Sequence, residues 1–477
     1  MKKYTLFFVF ILLYSFSISA QQATFIKHYG EQCPDLGMAI CSNKDGGYIL
    51  CGQSESYTTG AISAIAISID SLGNQEWQQT YGGSNIDFGQ SIAKTPDRGY
   101  IICGFTASFG AGGYDIYLVK TDIDGNQQWQ KTFGGAANEY GYCVKTLPDS
   151  GFIICGSTAS FGSGGTDAIL IRTDSAGNTL WTKYFGSSGN DGTYSLARTS
   201  DHGFVLAGYT FNYGAVADDA WIIKTDSAGN QVWANHYGSN GSERAMSIVQ
   251  DFNHDFVFSG YSNSYGNGSQ DFYLVRLDSA GVLLRDTVFG GTADDKSFGI
   301  AACADQGFVL TGQTESSGNG MLDVHVIKTD SAFNESWSAD FGGYDNDQGF
   351  NIMPTNDGGY ITIGNTWSYC LFGFYYSDIY VVKLDSTGYA DGISTFNTTQ
   401  SSLNVFPNPA TNFISIETGM IHDVVVVTIS DMTGKTVFQQ EFTHADPTIN
   451  ISALNNGIYA IHVKTDTTNS SAMFVKQ

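Results

Sequence analysis

Short apolar segments alternate with polar turns along most of the chain, and this pattern returns at a fixed interval. The segments are rich in Ile, Val, Tyr and Phe, and the turns between them are rich in Gly, Asp, Asn and Ser. Segments of this kind predict antiparallel β-strands, because none of them shows the length or the period of a helix. One polar position marks the interval, and its seven copies are spaced by 52 residues: Asp45, Asp97, Asp149, Asp201, Asn253, Asp305 and Asp357.

Each repeat contains four such segments. In the second full copy they lie at 128–133, 141–146, 151–156 and 167–173. A four-stranded antiparallel unit that recurs at this period is typical of a β-propeller blade. Seven copies therefore predict an all-β protein with a seven-bladed β-propeller.

The composition of the segments also predicts the order of the strands within a blade. The second segment carries small residues at alternate positions, for example Gly89 and Ser91, which suits the crowded innermost strand. The segment that carries Trp77 in the first repeat is bulky and suits the outer rim. The segment 24–29 resembles an outer strand, so we expect it to pair with 378–385 and to complete the seventh blade. That pairing removes the exposed sheet edges.

Four parts are expected along the chain. Residues 1–20 combine two lysines, an apolar core and a small residue at the end, which predicts a secretory signal peptide. The propeller is expected at 21–391 and a polar linker at 392–402. Residues 403–477 lose the 52-residue period and alternate in short strands, which predicts a small antiparallel β-sandwich. No other apolar run approaches the length of a membrane span, so we expect no transmembrane anchor in the mature chain.

The last part carries three blocks that point to a family. They read NVFPNPATNFISIE (404–417), ISDMTGKTV (429–437) and ISALNNGIYAIHVKT (451–465), and a closing FVKQ follows. This part resembles the C-terminal sorting domain of the type IX secretion system. The resemblance implies Sec export and outer-membrane translocation in a Bacteroidetes-type bacterium, with the type IX machinery as partner. The expected location is therefore secreted, either extracellular or on the outer-membrane surface.

The repeats themselves resemble the quinoprotein-type propeller repeat and the Asp-box through the pattern LxxDSxGNxxW. In both families the pattern is structural, so the resemblance implies a fold and no active site.

The charge of the chain excludes two classes of partner. With 46 Asp+Glu against 22 Lys+Arg, the formal net charge is −24. So acidic a protein is a poor ligand for nucleic acid or for an anionic membrane. Acidic turns are compatible with calcium, and TDIDGN (121–126) is the nearest local match, but its counterparts read TDSAGN and the spacing of an EF-hand is absent. We therefore expect no cofactor, with calcium as the alternative.

An acidic residue precedes each innermost strand. As a functional site, these seven residues would form a ring at one mouth of the central channel that attracts or binds a cation. As structural residues, each would accept backbone N–H bonds or contact a Lys or Arg. The seven positions are Asp35, Asp87, Glu139, Asp191, Glu243, Asp295 and Asp347.

The seventh repeat departs from the others by a three-residue insertion in the loop 365–377. The loop is rich in aromatic residues, which a solvated turn does not need. It is a candidate binding platform for sugars or peptides, or else it packs against the linker, the blade closure or the sorting domain. The candidate ligand-binding residues are Trp367, Tyr369, Phe372, Phe374, Tyr375 and Tyr376.

Little in the sequence indicates catalysis. The eight histidines do not have the spacing of a zinc site, and no G-x-S-x-G motif occurs. The eight cysteines do not form a disulfide framework, although Cys143 with Cys155, or Cys41 with Cys51, are candidates to face each other across a hairpin.

The sequence thus favours an exported propeller that acts as a binding module for a glycan or a protein. The alternatives are an extracellular hydrolase or lyase that acts on polysaccharide, and a structural surface protein without a small ligand.

Overall fold

The computed structural model describes residues 23–31, 34–58, 61–211, 217–369 and 376–390, and, near the C terminus, 404–406, 409–417, 425–431, 435–442, 448–464 and 469–477. The described residues form two compact units, one ending at residue 390 and one beginning at residue 404. All regular elements in these ranges are β-strands. None of the described residues forms a helix with the length and hydropathy of a membrane span.

The first unit is the predicted seven-bladed β-propeller, with four antiparallel strands in each blade. The innermost strands are β2 (Asp35–Ser42), β6 (Asp87–Lys94), β10 (Glu139–Thr146), β14 (Asp191–Arg198), β18 (Glu243–Gln250), β22 (Asp295–Ala302) and β26 (Asp347–Pro354). The second strands are β3 (Tyr48–Ser54), β7 (Tyr100–Thr106), β11 (Phe152–Thr158), β15 (Phe204–Thr210), β19 (Phe256–Ser262), β23 (Phe308–Thr314) and β27 (Tyr360–Thr366).

The outer half of each blade consists of a third strand that is almost fully buried and a fourth strand that is partly exposed. The third strands are β4 (Ser63–Ile69), β8 (Asp115–Thr121), β12 (Asp167–Thr173), β16 (Asp219–Thr225), β20 (Asp271–Leu277), β24 (Asp323–Thr329) and β28 (Asp378–Leu384). The outer strands are β5 (Gln75–Tyr81), β9 (Gln127–Phe133), β13 (Thr179–Phe185), β17 (Gln231–Tyr237), β21 (Leu283–Phe289), β25 (Glu335–Phe341) and, in blade seven, β1 (Phe25–Tyr29).

The two ends of the repeat array meet in the seventh blade. β1 pairs antiparallel with β28, with Phe25 opposite Lys383 and Tyr29 opposite Ile379. The buried Lys383 ammonium donates hydrogen bonds to the Ala23 carbonyl and to Asp357. The first described residues are thereby tied to the last blade, and β28 has no free backbone edge.

The apolar core lies between neighbouring blades, because each buried cluster combines residues of two adjacent sheets. The repeated tryptophan seals this interface. Trp77 packs on Gly125 in the next blade, whose φ of +80° favours glycine. The Trp77 ring also contacts the ring of Tyr100, with centroids 6.4 Å apart.

The aspartate that marks the repeat lies in the turn between the first two strands of each blade. In blade four, Asp201 accepts a hydrogen bond from the Gly203 amide at 3.1 Å and from the Lys224 ammonium at 2.8 Å. The Lys224 side chain is buried, so the aspartate both shapes the turn and neutralises a buried base.

The second unit consists of two antiparallel sheets. The smaller sheet has the order β29 (Asn404–Phe406), β30 (Phe413–Glu417), β33 (Thr448–Asn450), and the larger has β32 (Thr436–Phe442), β31 (Val425–Asp431), β34 (Gly457–Lys464), β35 (Asn469–Lys476). Ile414 and Ile449 from the smaller sheet share one apolar cluster with Ile429, Ile461 and Phe474 from the larger. The two sheets therefore pack face to face as the small sandwich that the alternating strands predict.

Candidate functional site

The innermost strands surround a central cavity of about 510 Å³. Each of these strands has a register shift near its middle, and the residue at the shift is left out of the pairing, as Tyr142 is between Gly141 and Cys143. One such residue from every blade lines the cavity: Met38, Gln90, Tyr142, Tyr194, Met246, Phe298 and Phe350. Unlike the small residues beside them, these seven have large side chains, namely two methionines, two tyrosines, two phenylalanines and one glutamine.

The small residues next to these side chains face the preceding blade, where there is little space. A Cβ on Gly89 would lie 2.8 Å from the Cys51 Sγ of the preceding blade, and a Cβ on Gly141 would lie 2.6 Å from the Cys103 Sγ. Only glycine allows the blades to approach so closely at these points.

We call the end of the propeller where the innermost strands begin the first face. Here the second residue of each innermost strand pairs with the sixth residue of the second strand. The pairs in blades one to seven are Leu36–Gln53, Phe88–Phe105, Tyr140–Ser157, Gly192–Tyr209, Arg244–Tyr261, Lys296–Gln313 and Gln348–Asn365. Blades two to four thus contribute aromatic residues, blades five and six contribute cations, and blades seven and one contribute amides.

The aromatic residues of blades two to four form one continuous cluster, which we call the aromatic belt. Its members are Phe88, Phe105, Tyr114, Tyr140, Tyr142, Tyr194, Tyr209 and Phe211. The Phe105 and Tyr140 rings meet edge to face at 4.9 Å, and Tyr142 and Tyr194 do so at 5.3 Å. Such contacts fix the rings in place while most of them stay partly exposed. The belt extends from the first face into the cavity, because Tyr142 and Tyr194 also line it.

Arg244 closes one end of the belt. Its guanidinium lies over the Tyr209 ring at 4.6 Å, and its Nη1 donates to the Tyr194 hydroxyl at 3.0 Å. Its Nε donates to the buried Asp218, so this charge is paired. Burial raises the pKa of Tyr142 to about 12, and it also raises the pKa of Tyr194. Both phenols therefore stay protonated at neutral pH and can donate hydrogen bonds to a ligand.

Gly192 makes room for one of these rings. A Cβ at this position would lie 3.0 Å from the Tyr209 ring, which occupies the space opposite the glycine. Blade four has Gly192 where blades two and three have Phe88 and Tyr140. The Tyr209 side chain of the second strand can therefore occupy the space above this glycine.

The seven acidic residues predicted at the channel mouth are all buried, at most 1% exposed, as the first residues of the innermost strands. Asp87 accepts the Gly83 amide at 2.7 Å and the Ser108 hydroxyl at 2.7 Å. Glu139 accepts the Gly135 amide at 2.7 Å and the Thr158 hydroxyl at 2.9 Å. These are the contacts of structural residues that hold the loops of the first face. A role in attracting cations stays a prediction.

A second carboxylate lies close to each of these seven acidic residues except Asp87. A Cβ on Gly342 would lie within 2.6 Å of oxygens of both Asp323 and Asp347. Burial, together with a smaller effect of the Asp323 charge, raises the pKa of Asp347 to about 6. These carboxylates leave no room for anything larger than a hydrogen on the intervening glycine, which explains the repeated Tyr-Gly or Phe-Gly.

Of the aromatic residues predicted in the blade-seven loop, Phe372, Phe374 and Tyr375 lie outside the described residues, and Trp367, Tyr369 and Tyr376 are half-buried. The Tyr369 hydroxyl donates to the Gly342 carbonyl at 2.8 Å, and its ring packs against Tyr380 at 5.6 Å. This residue occupies the repeat position of Phe109 and Tyr265, which pack in the same way. Tyr369 therefore has a structural contact that the other blades share, whereas Trp367 occupies the variable repeat position of Phe211. A ligand-binding role of the loop stays a prediction.

Metal and thiol chemistry find little support in the described ranges. No group of three or more His, Cys, Asp or Glu is arranged there to hold a metal ion. In the calcium-like turn, Asp122 Oδ1 accepts the amides of Asp124 and Asn126 at 2.9 and 2.8 Å, so the turn is closed by its own N–H groups. Calcium binding stays a prediction. Cys143 and Cys155 are cross-strand partners with free thiols, whereas Cys41 is opposite Ile49 and not Cys51.

Comparisons with known proteins identify the C-terminal unit. Residues 404–477 match the family described as secretion system C-terminal sorting domain. This is the sorting domain of the type IX secretion system, and it indicates secretion to the cell surface or the extracellular space.

The chain is also similar to several proteins at low sequence identity. A WD repeat-containing protein of Acanthamoeba polyphaga mimivirus is 21% identical in an alignment 228 residues long, which covers 37% of this chain and 16% of that protein. PorZ, a surface component of the type IX secretion system of Porphyromonas gingivalis, is 12% identical with a TM-score of 0.41, over 91% of this chain and 58% of that chain. Sqt1 from Chaetomium thermophilum is 12% identical with a TM-score of 0.41, over 72% and 81% of the two chains.

Proposed function

We propose that this protein is an exported binding module that holds a glycan at the first face of its propeller. The observation that carries the proposal is the aromatic belt, a set of partly exposed rings held edge to face across three blades. The C–H faces of a pyranose ring pack on aromatic rings, and the fixed phenols of Tyr142 and Tyr194 supply hydrogen bonds to its hydroxyls.

The surroundings of the belt suit a saccharide better than an apolar peptide. The other blades place Gln53, Gln313, Gln348 and Asn365 at the corresponding strand positions, where Gln53 and Gln348 are partly exposed and Gln313 and Asn365 are buried. Gln348 Nε2 donates to Gln313 Oε1 at 2.5 Å, so these amides are already oriented by each other. A cavity of about 510 Å³ is within the range of roughly 300–1,000 Å³ typical of small-ligand sites.

The enzymatic alternative requires carboxylates that reach the substrate. None of the described residues that line the cavity is an Asp, Glu or His. The repeated carboxylate pairs of the first face are buried and already accept hydrogen bonds from the loops. We therefore propose binding without turnover.

The test is a glycan array with the mature protein, followed by calorimetry on the glycans that bind. Phe105→Ala combined with Tyr209→Ala is expected to weaken binding at least tenfold, because stacking faces on two blades are lost. Tyr389→Ala is the matched control, since this exposed tyrosine lies on the opposite end of the propeller. Trp367→Ala reports on the blade-seven loop.

Two results would overturn the proposal. One is the absence of any bound glycan, with binding to a purified extracellular protein instead. The other is release of shortened saccharide products by the wild-type protein, which would establish the hydrolase or lyase alternative.

A further inference from the structure

The opposite end of the propeller, which we call the second face, has a different chemistry. Here the innermost strands end, and three adjacent blades each place a cation at or next to the last position. These residues are Lys94 in β6, Lys145 in β10 and Arg198 in β14. All three side chains are exposed, and Lys145 also lines the central cavity.

Three aspartates of the second face are already paired with buried bases. Asp97, Asp149 and Asp201 lie in the turns that follow the same three strands. Each forms an ion pair with a buried base from the third strand of its own blade, namely Lys120, Arg172 and Lys224 respectively. Among the described residues, no ion pair joins Lys94, Lys145 or Arg198 to a carboxylate. A protein with a formal net charge of −24 therefore has a local positive mouth.

Hydrogen bonds fix the position of two of these three cations. Lys94 Nζ reaches blade one, where it donates to Ser42 Oγ at 3.0 Å and to the Asn43 carbonyl at 2.9 Å. Burial raises the pKa of the Cys41 thiol to about 12, and the charges of Lys94 and Lys145 act against that rise. Arg198 Nη2 lies 3.0 Å from His202 Nδ1, which holds the guanidinium on blade four.

The other acidic groups of the second face lie in two sets of turns. In the turns between the first two strands, Asp251, Asp305 and Asp357 pair with bases of the third strands, and Asp45 pairs with Lys44. The second set, such as Asp122 and Asp174, lies between the third and outer strands and closes those turns by accepting backbone amides. The ends of the innermost strands thus carry cations in blades two to four, whereas the turns around them carry the acidic groups. This arrangement directs a flexible anion to the channel and disfavours its binding elsewhere on the disc.

We propose that the mouth formed by Lys94, Lys145 and Arg198 binds the anionic groups of an acidic polysaccharide, either uronate carboxylates or sulfate esters. The inference deepens the proposed function and rests on it. Charge-assisted hydrogen bonds from lysine and arginine suit carboxylate and sulfate oxygens. The rings of Tyr142, Tyr194, Phe298 and Phe350 line the cavity that leads to this mouth and offer faces for the sugar units.

The experiment compares two variants of equal charge. The test variant is Lys94→Gln/Lys145→Gln/Arg198→Gln. The control variant is Lys27→Gln/Lys131→Gln/Lys183→Gln, in which three outer-strand lysines that hydrogen-bond to Asn74, Asn178 and Asn230 lose their charge at the rim. The probes are a galacturonate oligosaccharide, its fully methyl-esterified neutral form and a sulfated oligosaccharide, each measured by calorimetry at two salt concentrations.

The test variant is expected to lose at least tenfold in affinity for the galacturonate or for the sulfated probe, whichever the wild type prefers, and to lose most of the salt dependence. The control variant is expected to stay within twofold of wild type. Equal binding of the methyl-esterified form, or an equal loss in both variants, would overturn the inference.

Its failure can be distinguished from failure of the proposed function. If neutral glycans bind and only the Phe105→Ala/Tyr209→Ala variant loses them, the first-face site stands and the anionic mouth is refuted. If no probe and no glycan binds, both are refuted.

Discussion

Single residues in blades five and six show how the repeat tolerates change. Blade five has Arg285 where most other blades have the outer-strand tryptophan, and blade six has Phe333 where the other blades have glycine in the packed turn. Phe333 is 2% exposed, has a φ of +63° and meets the ring of Phe308 edge to face at 5.6 Å. Phe308 is the residue that a tryptophan at 285 would contact, as Trp233 contacts Phe256 at 6.0 Å. At the interface between blades five and six, Phe333 of blade six therefore supplies the aromatic ring that a tryptophan of blade five would otherwise supply.

This exchange predicts that positions 285 and 333 are strongly coupled in their effect on the free energy of unfolding. Phe333→Gly is expected to destabilise the propeller by about 2 kcal/mol, because losing a buried phenylalanine costs about 3–5 kcal/mol and relief of its left-handed backbone returns part of that. Arg285→Trp alone is expected to destabilise, since Phe333 fills the space. The double variant is expected to be closer to wild type than either single variant. Chemical denaturation of the wild type, the two single variants and the double variant measures their free energies of unfolding. Additive changes in these free energies would contradict the coupling.

The repeated aspartate predicts a dependence of stability on pH. Burial alone would raise the pKa of Asp201, but hydrogen bonds from Lys224 and Thr199 outweigh it and lower the pKa to about 2. An unfolded aspartate has a pKa of about 3.9, so the contribution of Asp201 to stability is complete above pH 4 and is lost as the pH falls toward 2.

Asp201→Asn is therefore expected to lower the Tm at pH 7 and to lower it progressively less between pH 4 and pH 2. Asp45→Asn is the control. Asp45 forms an ion pair with the exposed Lys44 at 3.9 Å, whereas Asp201 pairs with the buried Lys224. A Tm difference for Asp201→Asn that does not change with pH would exclude this explanation.

At the scale of strands, the order within each blade could be predicted because crowding near the axis selects small residues. Gly89 and Gly141 identify the innermost strands correctly, and the tryptophans identify the outer ones. The residues between the small ones, such as Gln90 and Tyr142, follow no pattern along the chain that predicts a place in the channel. A register shift turns them into the channel, and no local pattern reveals a shift of that kind.

The strand β1 predicts the behaviour of a truncated chain. Without residues 23–30 the outer edge of β28 would be unpaired, and an open edge is a template for association. The truncated protein is expected to have a lower Tm and to form oligomers whose size increases with concentration, as measured by light scattering after size exclusion. Phe25→Ala, which keeps the backbone pairing, is expected to stay monomeric. A monomeric truncated protein with an unchanged Tm would contradict this role of β1.

At the scale of the whole molecule, the two units have separate cores. The apolar cluster of the C-terminal unit contains only residues from 410 to 474. A chain that ends at residue 391 is therefore expected to keep the thermal unfolding of the propeller. In a bacterium with a type IX system, it is expected to accumulate in the periplasm, because the sorting domain is missing. Cell fractionation measures this, with residues 392–477 fused to a periplasmic reporter as the positive control. Secretion of the truncated chain would contradict it.

The candidate site shows where prediction from sequence stops. The blade-seven loop departs visibly from the repeat, because an insertion can be seen along the chain. The aromatic belt does not, because its members Phe105, Tyr140 and Tyr209 are single substitutions in repeats that are otherwise regular. Phe105 and Tyr209 share one repeat position, whereas Tyr140 comes from a different strand, so only their packing shows that they form one surface.

The amino-acid sequence alone determined the strands, the seven blades and the export domain, because local periodicity, crowding near the axis and a contiguous motif are all properties of neighbouring residues. Only the tertiary structure decided which side chains meet at the two mouths of the channel. Closing the ring brings together positions about 52 residues apart. It also sets which charges are neutralised within a blade and which, like Lys145, remain without a carboxylate partner in the described part of the chain.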